Sequence, residues 1–365
     1  MSEVIEMIMI LIIVTLCFLM IPFNLQPNTV IEARKKFDTF IRLYGKPYRY
    51  NVREYEHRFQ IFRSSLNKIA TLNAHRAEND TAIYGITQYA DLTDQEFLQL
   101  KLADLKQSQT LDKFIIESKS SEMKDDIIFS RAKRAALKIP ENLPKVVDWR
   151  EKGVVAPVKS QGACGACWAF SVVDTIASIT AIKRQQNVTD LCVEQVINCA
   201  GNDNFGCDGG DTCRLLEWLR SNNHKLTTQK ECRTVLSLEN GTTCLFGKAL
   251  KGEFMTVEKY TCASLVDRED LMLRYLANHG PIVAAVNAIS WQYYLGGVIQ
   301  YHCDGSFEEL NHAVEIIGYN LESNIPYYLV KNSWGPRFGD HGFIKIQIGK
   351  NLCGIANRVS IIDLI

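Results

Sequence analysis

Neither sign of charge prevails in this chain: 41 lysines and arginines face 41 aspartates and glutamates among its 365 residues. That balance gives no reason to expect nucleic acid or an anionic membrane surface as a partner, since both select basic faces. Long apolar runs are scarce. The most extended, Met7 to Ile21, has 15 residues. That is short of the ~20 a membrane-spanning helix requires and fits the core of a secretory signal. Stable membrane insertion is therefore not expected. Glu3 and Glu6 stand where basic residues would be usual and no Ala-x-Ala site follows, so a signal anchor is the competing reading. Pro22 and Gln26 mark the expected end. Cysteine is almost missing from the first half, where Cys17 alone precedes Cys164. Ten of the twelve lie between Cys164 and Cys303, and Cys353 follows. An oxidised C-terminal domain behind a disulfide-free N-terminal region points to the secretory pathway. A second close cysteine pair is missing too. The Cys164–Cys167 spacing alone lacks the partner pair of a zinc site and the preceding strand of a thioredoxin-type redox unit. No metal and no cofactor are expected.

What is present begins with aromatic periodicity. Phe37, Phe40, Ile41 and Tyr44 recur at helical spacing, Pro47 breaks the run, and Tyr55, Phe59, Phe62, Leu66, Ile69 and Leu72 resume it. Residues from about Thr29 to Asn79 are thus expected to be amphipathic helix. From Lys101 to Glu141 polar and charged residues dominate, as in a solvated linker. Within it Arg131-Ala-Lys133-Arg134 is either a processing-protease site or a solvated charge run.

The stretch Gln161-Gly-Ala-Cys164-Gly-Ala-Cys167-Trp168-Ala-Phe170 organises the remainder. Trp168 to Ile182 is a run of apolar and helix-forming residues, so Cys167 sits at a helix N-terminus. Unpaired backbone N–H groups and the positive end of the dipole favour a thiolate there. Free cysteine, with a pKa near ~8.5, is only about 0.03% thiolate at pH 5, whereas a pKa of roughly 4 makes it about 90%. Seven histidines compete to act with it. His57 and His75 lie in the early helical region, His224 and His279 in polar contexts, His302 beside Cys303, and His341 in a glycine-flanked turn. His312 differs by entering an apolar strand after a polar turn, where a lone histidine is more often structural.

The pattern Cys-Gly-Ala-Cys-Trp resembles the active-site signature of papain-like cysteine proteases, the family of papain and the cathepsins. Glu54-x3-Arg58-x2-Ile61-Phe62-x6-Ile69-x3-Asn73 resembles the interspersed propeptide signature of that family, with Ser65 in place of an asparagine. Tyr84-Gly85-x-Thr87-x-Tyr89-x-Asp91 resembles its second propeptide motif. Leu143-Pro-Lys-Val-Val-Asp148-Trp149-Arg150 is similar to the start of mature cathepsins, and Ser290 to Cys303 carries the likeness to one cathepsin subtype. His312 lies 145 positions after Cys167, inside the ~130–150 typical of the family. Lys331-Asn332-Ser333-Trp334-Gly335 resembles its asparagine motif, with Trp334 shielding the Asn–His bond. At 165 positions from Cys167, Asn332 lies beyond that window, part of which the loop Asn320–Ile325 accounts for. Phe338 and Phe343 replace the usual tryptophan and tyrosine.

The resemblance implies an α+β papain-like fold. A helical left half and a β-barrel-like right half would flank the active-site cleft, preceded by a mostly helical inhibitory propeptide. The expected domains are residues 1–25 as signal, 26–138 as propeptide and 139–365 as mature protease. Cys167, His312, Asn332 and Gln161 would be catalytic, the last as an oxyanion donor. Gly209, Gly210, Asp211, Thr212, Ala285, Leu310, Ala313 and Trp334 would meet substrate. Asp211 is unusual for a P2 pocket, where it either admits a basic or polar side chain or points to water from the rim. Disulfides Cys164–Cys207, Cys199–Cys244 and Cys303–Cys353 are implied. Of Cys192, Cys213, Cys232 and Cys262, a Cys213–Cys232 bridge is the first expectation. Asn79, Asn187 and Asn240 head glycosylation sequons. The implied activity is that of a cysteine endopeptidase made as a zymogen, since no histidine-pair loop of the exopeptidase kind is present. Its partners would be peptide substrates, its own propeptide and cystatin-type inhibitors. It would act as a monomer, in the lysosome or after secretion. A catalytically silent binding protein on the same fold is the alternative.

Overall fold

The computed structural model describes residues 30–74, 81–102, 142–238, 244, 246 and 256–364. The expected signal, Cys17, His75, the basic cluster at 131–134, Asn79 and Asn240 lie outside them. The chain divides into two compact units, residues 1–75 and 76–365.

In the first unit, helices α1 (Val30–Tyr44) and α2 (Val52–Ala74) flank a short 3-10 turn at Pro47–Tyr50. Proline opens that turn, where its missing N–H costs nothing. The aromatic periodicity becomes a ring cluster: Phe37 lies 5.5 Å from Phe59 and 5.1 Å from Phe62, all fully buried. Arg34 stands 4.1 Å over the Phe59 ring, and its guanidinium pairs with Glu56 at 3.1 Å.

The second unit opens with β1 (Ile83–Tyr84) and the short helix α3 (Asp94–Lys101). Thr93 accepts from the Glu96 N–H while Glu96 accepts from the Thr93 N–H, a reciprocal cap that fixes where α3 starts. Strand β2 (Val146–Asp148) follows, then α4 (Cys167–Arg184), α5 (Val193–Cys199), α6 (Thr212–Ser221) and α7 (Gln229–Leu238). Every residue of α4 from Cys167 to Ala181 is buried, which its near-absence of charge permits. Around it Trp168, Val172, Ile176, Val196, Leu215, Leu219, Val283 and Ile362 form one core.

After β3 (Val257–Ala263), α8 (Glu269–Asn278) and β4 (Ile282–Val286) come β5 (Tyr294–Gly296), β6 (Val298–Ile299), β7 (His312–Asn320), β8 (Tyr327–Lys331), β9 (Phe343–Gln347) and β10 (Val359–Leu364). The main sheet runs β3-β10-β4-β7-β8-β9-β6, with β2 on β7 and the β6–β9 pair parallel. β1 pairs with β5 in a separate two-stranded ribbon. Strand β7 is buried from His312 to Tyr319 because α4 packs against it. At Gly318 a side chain would collide with the Val147 carbonyl, so glycine lets β2 close over β7.

Five disulfides lock this unit among the described residues: Cys164–Cys207, Cys192–Cys232, Cys199–Cys244, Cys213–Cys262 and Cys303–Cys353. The expected Cys213–Cys232 bridge is thereby corrected. Cys213 lies on α6 facing β3, where Cys262 stands, while Cys232 on α7 meets the residue that caps α5, Cys192. Cys167 stays outside the disulfides.

Candidate active site

Cys167 is the first residue of α4, fully buried, and packs against Ala313, the neighbour of His312 on β7. Ala166 caps the helix without a side-chain hydrogen bond. The glycine loop reaches the same place: the Gly165 N–H donates to the Cys207 carbonyl at 2.7 Å. At Gly210 a Cβ would sit 2.6 Å from the Trp168 ring, so only glycine fits against it.

His312 starts β7 with no exposed surface. Its Nε2 lies 2.7 Å from Asn332 Oδ1, and its Nδ1 has no hydrogen-bond partner among the described residues. Asn332 Oδ1 also accepts from the Ser333 N–H at 2.8 Å, which fixes the amide's orientation. Trp334 covers the ring at 4.8 Å, and Trp291 stands edge-on at 6.0 Å. Burial pushes the imidazole down to about 4. The Asn332 bond opposes that shift, and the Lys101 ammonium adds to it.

Gln161 joins this group through backbone pairing. Its N–H donates to the Ser333 carbonyl at 2.8 Å and the Gly335 N–H donates to the Lys159 carbonyl at 3.0 Å. Ser333 Oγ donates to Gln161 Oε1 at 2.6 Å, leaving the Nε2 donor to face Cys164 O at 2.7 Å and Lys101 O at 3.1 Å. Behind the site, Lys331 Nζ lies 2.5 Å from Asp174 on α4 and 3.3 Å from Glu315 on β7. Lys159 reaches Asp174 at 2.7 Å and Asp190 at 2.6 Å. Burial works against the Asp174 charge, yet Lys331 and Lys159 together hold its carboxyl below the usual range. Burial raises that of Glu315.

The segment 81–102 lies on this surface. Thr87 Oγ1 donates to Gln292 O, and Gln292 Nε2 returns bonds to the carbonyls of Tyr89 and Leu92, both 2.9 Å. Tyr89 and Phe97 pack edge-on to Trp334 at 5.8 and 5.3 Å. Lys101, read from sequence as the first residue of a solvated linker, is 5% exposed. Its ammonium donates to Gly162 O at 2.5 Å and sits 5.2 Å over the Tyr89 ring. Polar composition at 101 misled because the ammonium finds a carbonyl and an aromatic face far away in the chain, which local sequence does not show. The Thr93-x-x-Glu96 pattern was a signal that a helix starts at Asp94, just ahead of this point.

Of the expected substrate-contacting residues, Thr212, Ala285, Leu310 and Ala313 are all at most 5% exposed. Asp211 is neither a rim residue nor open to a substrate cation. At 2% exposure it caps α6, accepting from the N–H groups of Cys213 and Arg214, and pairs with Arg358. Sequence reading missed Arg358 and Lys331, whose partners are remote in the chain. Phe338 packs against Trp334 at 4.7 Å, so aromatic bulk is retained there. Asn187 is exposed. Cys192, Glu194 and Cys232 lie close enough for a metal, but both sulfurs are spent on a disulfide.

Residues 143–362 match the papain family cysteine protease domain and residues 37–97 the cathepsin propeptide inhibitor domain (I29). Human cathepsin O is 39% identical over 302 residues, 82% of this chain and 85% of its own length. Among solved structures, the digestive procathepsin L2 proteinase of Tenebrio molitor larval midgut is 27% identical with a TM-score of 0.73, covering 91% of this chain and 100% of that one. A recombinant stem bromelain precursor is 29% identical with a TM-score of 0.70, covering 91% and 99%. The chain belongs to the papain family of cysteine proteases and carries a cathepsin-type inhibitory propeptide domain.

Proposed function

We propose that this protease hydrolyses peptide bonds as an endopeptidase through Cys167, His312, Asn332 and Gln161. The observation that carries the reading is the 2.7 Å bond from His312 Nε2 to Asn332 Oδ1. It holds the ring by one nitrogen and leaves Nδ1 for the thiol of the neighbouring helix end, where Cys167 touches Ala313. With a substrate in place, the Cys167 thiol passes its proton to His312 Nδ1 and the sulfur adds to the scissile carbonyl carbon. The oxyanion is held by Gln161 Nε2 and the helix-end backbone. His312 delivers its proton to the leaving amine as the C–N bond breaks. Water then attacks the thioester, giving its proton to His312, and the carboxylate product leaves as the thiol re-forms. Gly209 and Gly210 offer backbone to an extended peptide, and Thr212, Ala285, Leu310 and Ala313 surround its P2 side chain, with Trp334 on the leaving-group side.

In the precursor the bond from Gln161 Nε2 to the Lys101 carbonyl supports a closed state in which the chain's own segment takes the donor a substrate needs. Processing between residues 102 and 143 would release the mature domain from about residue 139. Lysosomal or extracellular proteolysis as a monomer, control by cystatin-type inhibitors and glycosylation at Asn187 complete the reading. Titration of the acid-activated protein with a thiol-directed epoxide tests it. One equivalent bound to Cys167, with activity falling in proportion, is expected. Full activity after complete labelling of Cys167, or no reaction at that sulfur, overturns it.

A further inference from the structure

Asn332 uses one end of its amide and leaves the other unaccounted for. Its Oδ1 takes both the His312 Nε2 contact, at 2.7 Å, and the Ser333 N–H, at 2.8 Å. A backbone N–H can only donate, so the amide cannot be turned over, and Nδ2 lies on the side away from those two partners. That nitrogen is buried, in a residue 2% exposed, and has no hydrogen-bond partner among the described residues. A buried amide donor without an acceptor is unfavourable, so an acceptor is to be sought beside it.

Asn332 lines a cavity of about 10 Å³ between α4 and β7. Lys331 and Ser333 join it from the end of β8, Asp174 from α4 and Glu315 from β7. That volume is room for about one water molecule. Cavities that stay dry are apolar, whereas this lining carries two carboxyl groups, an ammonium and an amide. Acceptors are at hand. Glu315 Oε1 receives the Ser178 hydroxyl at 2.8 Å, and Oε2 receives Lys331 Nζ at 3.3 Å, the longest contact of the buried network. Asp174 takes Lys159 at 2.7 Å and Lys331 at 2.5 Å, one on each oxygen. Each carboxyl oxygen has a second lone pair. No direct bond joins Asn332 Nδ2 to either group, so the span calls for a bridging molecule.

We propose that one water fills this cavity, accepting from Asn332 Nδ2 and donating to the Glu315 and Asp174 carboxyl groups, and that Glu315 is thereby a positioning residue for the Asn332 amide. Held at both ends, the amide keeps its plane in line with His312. Donation by Nδ2 also draws charge toward Oδ1 and strengthens its bond to the ring. Lys331, in the position before Asn332, keeps both carboxyl groups on the cavity. The positioning role rests on the protease reading above; the water does not.

The water is read from a high-resolution crystal structure of the full chain carrying Cys167→Ala. Ordered density within hydrogen-bond distance of Asn332 Nδ2 and of Glu315 or Asp174 is expected. A dry cavity, or a water out of reach of Nδ2, overturns the proposal whether or not the protein is a protease. In the acid-activated full chain, Glu315→Leu removes an acceptor and is expected to lower kcat about tenfold at unchanged KM, the loss of one hydrogen bond. Glu315→Gln, whose carbonyl still accepts, recovers most of that loss. Damage to packing alone would act equally whatever stands at position 332. In an Asn332→Ala background, where the amide is gone, Glu315→Leu is instead expected to change kcat by less than about twofold. An equal loss in both backgrounds overturns the positioning role, as does an unchanged kcat in folded Glu315→Leu. Where that variant does not fold, a Glu315→Gln enzyme as slow as Asn332→Ala overturns it. Absence of all cleavage by the unaltered protein, with no epoxide labelling of Cys167, overturns the protease reading and the positioning role with it, while the crystal still decides the water.

Discussion

The side-chain amide of Gln161 donates to the main-chain carbonyl of Lys101 at 3.1 Å, so a donor suited to a substrate oxyanion is engaged by the chain itself. What keeps that carbonyl in place is the rest of Lys101: its ammonium on Gly162 O and over Tyr89, in a 5% exposed position. A charged hydrogen bond of this kind contributes about 1.5–3 kcal/mol. Lys101→Ala is expected to speed epoxide labelling of Cys167 in the uncleaved precursor at pH 7 by about 10- to 100-fold. An unchanged labelling rate would show that the anchor does not hold the site closed.

Acid should loosen the closed precursor through His312. Its folded pKa, about 4, lies below the ordinary 6.5 because burial disfavours the imidazolium. The unfolded chain therefore binds a proton between those values that the folded chain does not. The stability contributed by the neutral ring is complete above pH 6.5 and is lost as pH falls toward 4, on the order of 3 kcal/mol. For a precursor carrying Cys167→Ala, Tm is expected to fall across that window. Adding His312→Gln should flatten the fall. An equal slope in both proteins would remove His312 as the sensor.

Asn332 holds the ring that must give up a proton. Replacing it with alanine removes the 2.7 Å bond to His312 Nε2 and lets the imidazole turn. A loss of about 1.5–3 kcal/mol corresponds to a roughly 10- to 150-fold fall in kcat/KM. The pH–rate profile should also shift, since the bond favours the charged ring. A fall in rate with no movement of the profile would mean that Asn332 acts through packing alone.

Lys331 ties three elements together, bonding Asp174 on the Cys167 helix and Glu315 on the His312 strand from the position just before Asn332. Its side chain is 2% exposed, and removing one partner of a buried network leaves charges uncompensated. Lys331→Met is expected to cost about 3–5 kcal/mol, measured by urea unfolding of the mature domain. A change below about 1 kcal/mol would show that water or rearrangement satisfies the two carboxylates.

Much of this was legible in the chain before any coordinates. Cys167 and Asn332 sit in short motifs whose chemistry is local, and His312 was singled out by a polar turn entering a strand. The Phe37–Phe62 periodicity likewise foretold the ring cluster, because packing along a helix follows a fixed repeat. What escaped depends on proximity that spacing does not encode. Asp211 was open to two readings, a partner for a basic or polar side chain or a pocket rim, because its own partner, Arg358, is 147 positions away. Cys213 could have joined any of three other cysteines, and only the meeting of α6 with β3 selects Cys262. Lys101 looked solvated because the partners of its ammonium and carbonyl, Gly162, Tyr89 and Gln161, are not its neighbours in the sequence.

The whole account rests on one sulfur acting as nucleophile. The direct measurement compares acid-activated protein with Cys167→Ala on a peptide library, with the same concentration and the same propeptide removal confirmed by mass. Because nucleophile and proton donor act as a unit, removing the sulfur should cut cleavage by about 10⁴-fold or more, to the background of the assay. Cleavage in the alanine variant within tenfold of the unaltered protein would contradict the account.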